Sequence, residues 1–426
     1  STIGQPNGYS RLCLSCHDGT VAIGSVQMLR GQVATGTISM QGVGGSGEMP
    51  TTTRARLGTD LTNDHPISFL FDSSLTTTDE ELVDPSTLTG IIRLYPRNDT
   101  GIRDSVQCTS CHDPHNAGLD KFVKKSPLGQ SDNLCLTCHN KPGWVGSTHQ
   151  SSLVTPVGTG STVAYNSCLN CHYPHNEGPP RLLRASSPAT TPPGIEQTCY
   201  RCHNSDNQLN IPNLQDEFSK FYKHPIIAYS GHKPVFTVAG PPEDVLLNNQ
   251  HVECTDCHNP HRVRPGNLYE GMRGIDISGL TVDDVTGESG GRDLVQYEIC
   301  FRCHGDTYLT VIGATTQSGI PASDKRNEFQ PTNSAFHPVA GAGRNMSINL
   351  CMQLQPNFPE LDCNSQAAVN NTLGNLRIKC TDCHNNDVTQ NTHGRASNYT
   401  GPEALGPHGS TYPSIRRANF FNDASS

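Results

Sequence analysis

Eight times along this chain two cysteines stand three positions apart and are followed at once by a histidine. Numbered 1 to 8 in chain order, these sites are Cys13, Cys16 and His17; Cys108, Cys111 and His112; Cys135, Cys138 and His139; Cys168, Cys171 and His172; Cys199, Cys202 and His203; Cys254, Cys257 and His258; Cys300, Cys303 and His304; and Cys380, Cys383 and His384. A bare C-x-x-C pair suits structural zinc or a redox dithiol. Neither chemistry asks for histidine directly after the second cysteine, and histidine fills only 19 of 426 positions. The pattern is that of c-type haem attachment: two thioether bonds to the porphyrin, with the adjacent imidazole reaching the iron as proximal ligand. Eight such haems are expected.

A second axial ligand for each iron must come from elsewhere. Sites 2, 4 and 6 continue as Cys-x-x-Cys-His-x-Pro-His, which adds His115, His175 and His261. Proline interrupts any helix there. The extra ring cannot reach the iron that its neighbour already holds from that side, so it is placed for an adjacent haem. His65, His224 and His337 each precede a proline at corresponding places between motifs, and His149 holds the same place without one. After His384 the pattern lapses into Asn-Asn-Asp, so the last ligand comes from His408 in Gly-Pro-His408-Gly-Ser or from His393, with His408 preferred. The expected distal set is therefore His65, His115, His149, His175, His224, His261, His337 and His408. His232, His251 and His393 are spare, and His251 is the first substitute. Methionine, the other common axial ligand, occurs only six times. All-histidine ligation and low reduction potentials are expected.

These residues divide the chain into four dihaem modules, 1–124, 125–190, 191–290 and 291–426, read as one continuous haem chain rather than independent domains. Hydrophobic residues make up 34% of the sequence, against about 45–50% in globular domains on a slightly different residue set. So polar a chain cannot offset its conformational entropy by side-chain burial alone. The porphyrins must supply the missing apolar surface, and the apoprotein is expected not to fold. The expected fold is mostly irregular coil, with short α-helices at the motifs and very little β. Residues 18–60, 72–104, 262–298 and 362–378 are rich enough in threonine, valine and isoleucine for isolated short strands. Gly42–Pro50, Ser186–Pro193 and Gly287–Gly291 read as connectors. Trp144 and the pair Phe420–Phe421 are expected to bury against a haem or another subunit. Sequons at Asn98, Asn345, Asn370 and Asn398 carry little weight. The acidic run from Asp283 to Asp293 matches no defined calcium loop.

Thioether attachment takes place outside the cytoplasmic membrane, and a chain that begins at Ser1 reads as a mature secreted form without its signal peptide. The two remaining cysteines, Cys351 and Cys363, suit a disulfide in an oxidising compartment. No apolar run approaches the roughly 20 residues of a membrane-spanning helix. A formal charge of −9, before any haem propionates, argues against nucleic acid as a partner.

The runs Cys13-Leu-Ser-Cys-His-Asp-Gly-Thr, Cys-x-x-Cys-His-x-Pro-His at Cys108, Cys168 and Cys254, and the late Gly-Pro-His408-Gly-Ser are similar to those of the paired C-x-x-C-H multihaem cytochromes. Within that group the chain most resembles the extracellular, filament-forming (nanowire) cytochromes of metal-reducing bacteria. The resemblance implies bis-histidine haems in a continuous stack of alternating parallel and T-shaped pairs. It also implies head-to-tail polymerisation with copies of itself, and exchange of electrons with other redox cytochromes and extracellular acceptors. A distal histidine donated to a neighbouring subunit is a further expectation, with His408 or His65 as the donor. An enzyme is the competing class, since octahaem cytochromes include reductases of small nitrogen and sulfur oxyanions. Those need an iron with an open position, often marked by C-x-x-C-K, and no such motif occurs. A soluble periplasmic or outer-membrane shuttle is the third reading.

Overall fold

The spacing Cys-Thr-x-Cys carries its own helix cap. In site 2 the Ser110 hydroxyl accepts the Gln107 backbone N–H at 3.0 Å; in sites 6 and 8 the carboxylates of Asp256 and Asp382 accept those of Glu253 and Lys379 at 2.7 and 2.9 Å. Each interaction satisfies a donor at the helix start, and the one-turn helices Cys108–Cys111, Cys254–Cys257 and Cys380–Cys383 result. Sites 1 and 7 sit on longer helices, Ser10–His17 and Gln296–His304. Sites 3 and 4 lie on the tighter 3₁₀ turns Cys135–Thr137 and Ser167–Asn170.

This computed structural model describes residues 5–24, 28–29, 32–33, 43, 47–97, 101–129, 133–177, 181–184, 195–204, 211–226, 252–283, 294–305, 324–355, 361–387 and 405–417. The chain forms two compact units. The first comprises Ser1–Thr155 with Thr159–Ala185 and carries sites 1 to 4; the second comprises Pro156–Gly158 with Ser186–Ser426 and carries sites 5 to 8. Both are mostly coil joined by short helices, as the composition implies. Among the described residues no helix is long and apolar enough to cross a membrane.

In the first unit, polar side chains lock neighbouring motifs together. Buried Gln107, just ahead of site 2, accepts from both the backbone and the hydroxyl of Ser10, at 3.1 and 2.6 Å, while that hydroxyl accepts the Cys108 N–H at 3.1 Å. Sites 3 and 4 are joined by Asn133, whose amide donates to Ser167 Oγ at 3.1 Å. Strands are minimal: Met28–Leu29 with Gln32–Val33, and Tyr95–Pro96 with Arg103–Ser105. The second unit repeats the device at sites 7 and 8, where Gln296 exchanges hydrogen bonds with Thr381.

Apolar clusters occur in the second unit but are small. Met272, Leu294 and Ile299 form one, beside the strands Arg273–Ile275 and Thr281–Asp283. Cys351, Leu361, Val369, Leu373 and Leu376 form the other. Here the sequence reading is corrected, because 362–378 is not strand but contains the ten-residue helix Gln366–Asn375. Ser365 caps it through the Ala368 N–H at 3.1 Å, and Val369 and Leu373, four apart, face the helix Ile348–Leu354. Cys351 and Cys363 are disulfide-bonded with Cα atoms 5.6 Å apart, which joins this helix pair. Trp144 is buried in the first unit. Asn98 and Asn398, the tail beyond Arg417 with Phe420–Phe421, and the Ser186–Pro193 and Gly287–Gly291 connectors lie outside the described residues.

Candidate haem-binding sites

An imidazole holds iron through one ring nitrogen, and a hydrogen bond at the other decides which one is free. Six motif histidines are fixed this way. Nδ1 donates to a backbone carbonyl in His17 (Ala55, 2.8 Å), His112 (Lys121, 2.9 Å), His172 (Arg181, 2.8 Å), His203 (Pro212, 3.0 Å), His258 (Leu268, 3.1 Å) and His384 (Ser414, 2.8 Å). A carbonyl only accepts, so Nδ1 carries the proton and Nε2 keeps its lone pair. Two interposed histidines are set likewise, His65 on the Pro66 carbonyl at 2.9 Å and His224 on the Pro407 carbonyl at 2.7 Å.

Three of those carbonyls belong to a short strap that sequence reasoning missed. Lys121-Phe122-Val123-Lys124, Arg181-Leu182-Leu183-Arg184 and Ser414-Ile415-Arg416-Arg417 return to sites 2, 4 and 8. Backbone N–H groups of Lys124, Arg184 and Arg417 donate to the carbonyls of Cys111, Cys171 and Cys383 at 2.8, 2.8 and 3.0 Å. In each strap the first two residues have φ between +53° and +71°: Lys121 56°, Phe122 58°, Arg181 71°, Leu182 53°, Ser414 59° and Ile415 53°. A left-handed non-glycine residue costs about 1–2 kcal/mol. Six of the nine described non-glycine residues with positive φ serve this one purpose, which is to aim a carbonyl at a motif histidine. The sequence signal was faint: a basic residue closing each strap, some 12 positions beyond the motif histidine at sites 2 and 4.

Four pairs of histidines face each other across a gap of constant width. Ring centres are 6.2 Å apart for His65–His139 and His112–His175, and 6.3 Å for His224–His304 and His258–His408. The interplanar angles vary freely, from 31° to 78°. Other ring pairs scatter, from 4.8 Å at Phe221–Tyr222 to 6.4 Å at Phe69–Phe71 and 6.5 Å at Phe301–Phe329. A fixed distance with an unfixed angle is what a shared central atom imposes. With metal–nitrogen bonds of about 2 Å and each nitrogen roughly 1 Å ahead of its ring centre, two imidazoles on one iron have centres about 6 Å apart. These residues fit a bis-histidine haem. Each pair joins one motif histidine to one interposed histidine.

Burial keeps the rings in their neutral, ligating form. It lowers the pKa of His65, His112, His224 and His258, and takes His139 and His304 down to about 4, with the facing His65 and His224 adding to the effect.

A short ladder sets the pairs. In the first unit the His65 N–H donates to the Pro174 carbonyl at 2.8 Å and the Glu177 N–H to the Asn63 carbonyl at 3.0 Å. In the second, the strands Tyr222–Lys223 and Gly409–Ser410 pair antiparallel. Thus the residues beside one histidine-proline step lie against those beside a proline-histidine step, and the two histidines face different motif histidines. Gly409 is required here, since a Cβ would stand 1.7 Å from the Glu217 carbonyl oxygen. Phe218 closes on His408 edge-on, with centres 5.5 Å apart.

The thiols follow one another in chain order. A hydrogen bond from Cys13 lowers Cys108 to about 6, one from Cys135 lowers Cys168 to about 6, and one from Cys300 lowers Cys380. Cys111 and Cys257 are pushed up to about 12, first by burial and then by the nearby Cys138 and Cys303. Sites 1-2-3-4 in the first unit, and 6-7-8 in the second, are therefore successive neighbours. Among the described residues no group of three or more His, Cys, Asp or Glu side chains is arranged to hold a bare metal ion.

His115 and His337 stand outside the four pairs, and the His115 side chain is 94% exposed beside Asp113. His149 lies on the helix Thr148–Ser151, and the His261 N–H donates to Asn259 Oδ1 at 3.1 Å. His232, His251 and His393 lie outside the described residues. His65 and His408, expected as donors to another subunit, instead face His139 and His258 of their own units.

Comparison with known proteins agrees with this chemistry. The family model of the doubled CXXCH motif matches residues 102–143 and 161–208. Each match joins the motif that closes one module to the motif that opens the next. The chain is 25% identical over 240 residues to the multiheme cytochrome MtrA of Shewanella baltica (strain OS185), covering 48% of this chain and 67% of that one. No solved structure matches.

Proposed function

We propose that this chain, a paired C-x-x-C-H multihaem c-type cytochrome that carries electrons, holds eight bis-histidine haems as two tetrahaem units. The constant 6.2–6.3 Å spacing of four imidazole pairs carries the reading. On this reading His175 serves the haem at Cys108 and Cys111, and His65 that at Cys135 and Cys138. Likewise His408 serves the haem at Cys254 and Cys257, and His224 that at Cys300 and Cys303. Residues 1–185 contain eight histidines, four in motifs and His65, His115, His149 and His175 between them, so the ligand count closes. His115 and His149 then serve sites 1 and 4, and by the same order His261 and His337 serve sites 5 and 8.

When bound, haem supplies the one-electron chemistry. The chain would hold the two imidazole nitrogens of each pair in place for it, and keeps neighbouring attachment points in order. With two imidazoles for each iron, no position is left open for a substrate. Native mass spectrometry should find eight covalent haems, and electron paramagnetic resonance of the ferric protein should find only low-spin signals. A high-spin haem would favour the reductase reading.

The site of action is extracellular, reached by export, and the working form is a head-to-tail polymer. Thioether chemistry and the motif resemblance support this. Cryo-electron microscopy of secreted material should show filaments. Monomers alone would leave the shuttle reading standing.

A further inference from the structure

His175 is held differently from the eight histidines whose Nδ1 meets a backbone carbonyl, and from His115, whose ring is 94% exposed with Asp113 3.5 Å away. His175 Nδ1 donates not to a carbonyl but to the carboxylate of Asp64, at 2.9 Å. Asp64 is buried, with 5% of its side chain exposed, against 32% for His175. The same oxygen accepts the Asn176 N–H at 3.3 Å, and the Asn63 amide, turned nitrogen-inward, donates to the other oxygen at 3.1 Å. The acid is thus oriented and shielded, and it immediately precedes His65.

We propose that Asp64 tunes the haem at Cys108 and Cys111, holding it at the lowest potential of the first unit and below its second-unit counterpart at Cys254 and Cys257. This rests on the reading that His112 and His175 share that iron. A carboxylate hydrogen-bonded to Nδ1 draws the proton away and gives the ring imidazolate character. A more basic ligand, with a buried negative charge behind it, favours ferric over ferrous iron. In the second unit a lysine stands at this place. The matching step reads Lys223-His224-Pro-Ile, where the first unit reads Asp64-His65-Pro-Ile, and the ladder sets Lys223 against Gly409, next to His408. An acid in one unit and a base in the other stand at equivalent places, so two haems of like ligation are driven apart in potential. Asp64 is a positioning residue, acting through His175.

The test is a redox titration of the haem-loaded full chain, followed by visible absorption and electron paramagnetic resonance. Asp64→Asn keeps the shape and removes the charge. The lowest-potential transition should move upward with about a tenfold gain in its reduction equilibrium, equivalent to 59 mV for a one-electron couple, while the other transitions stay in place. An unmoved lowest transition in a variant whose haems all remain low-spin overturns the proposal. If Asp64→Asn instead loses a ligand and shows a high-spin haem, the wild type decides. There the centre that oxidises first on raising the potential must carry the narrowed g-anisotropy of an imidazolate-like ligand, and an ordinary bis-imidazole signal overturns the proposal. His175→Ala tests the ligand reading separately. It should make one haem high-spin, and a fully low-spin His175→Ala protein means that the assignment, rather than the tuning, has failed.

Discussion

A histidine three residues past a haem motif could serve any iron within reach, and here one such ring, His175, lies opposite His112, far away in sequence. His408, which follows no motif closely, lies opposite His258. Truncating His408 to alanine should convert one low-spin haem to high-spin in the ferric spectrum, whereas His393→Ala should leave the spectrum as it was. The opposite result would move the ligand to the other histidine. Thioether cysteines and motif histidines were legible because covalent attachment permits only one spacing. Four of the expected second ligands stand opposite motif histidines, and these pairings were not legible, since nothing near His65 in the sequence points to His139. Asp64 looked like any acid before a histidine-proline step. Only the fold brings it to His175.

At the scale of elements, the straps and the ladder carry the geometry that the motifs leave open. Arg181 holds φ at 71°, which a proline ring forbids. Arg181→Pro should therefore pull the carbonyl away from His172, destabilise the first unit by about 2–3 kcal/mol and shift the potential of the haem at site 4; denaturant unfolding and redox titration would show both. Gly409→Ala should force the ladder apart at the Glu217 carbonyl and yield a high-spin haem at site 6, detectable without loss of covalent haem. The disulfide does a different task. Replacing Cys351 and Cys363 by serine should cost about 3 kcal/mol and loosen the helices Ile348–Leu354 and Gln366–Asn375, while the covalent haem content stays unchanged. Composition alone suggested strand over 362–378. Ser365 as a cap and the four-residue spacing of Val369 and Leu373 made it helix, because tertiary packing against Cys351 outweighs weak strand preference. The straps escaped the sequence reading because left-handed backbone at Lys, Phe, Arg and Leu has no compositional mark.

For the whole molecule, the pairs repeat in a fixed order. The histidine of a histidine-proline step in one module faces the first motif of the next, and that of the later proline-histidine step faces the second motif of the one before. This exchange occurs once in each unit, so the facing pairs repeat every four motifs. A fragment ending at Ala185, matured with haem, should fold as a soluble, wholly low-spin tetrahaem protein; size exclusion and absorption spectroscopy would check it.

The exchange of rings between modules also fixes an order of completion. If the chain is exported from its first residue, Cys108, Cys111 and His112 emerge well before the segment that contains His175, 63 positions later by residue number. His258 would wait longer still, until His408 follows 150 positions behind. A porphyrin fastened early would thus be open on one face while the rest of its unit is still crossing the membrane, and a chain cut short before its closing histidine would keep that face open.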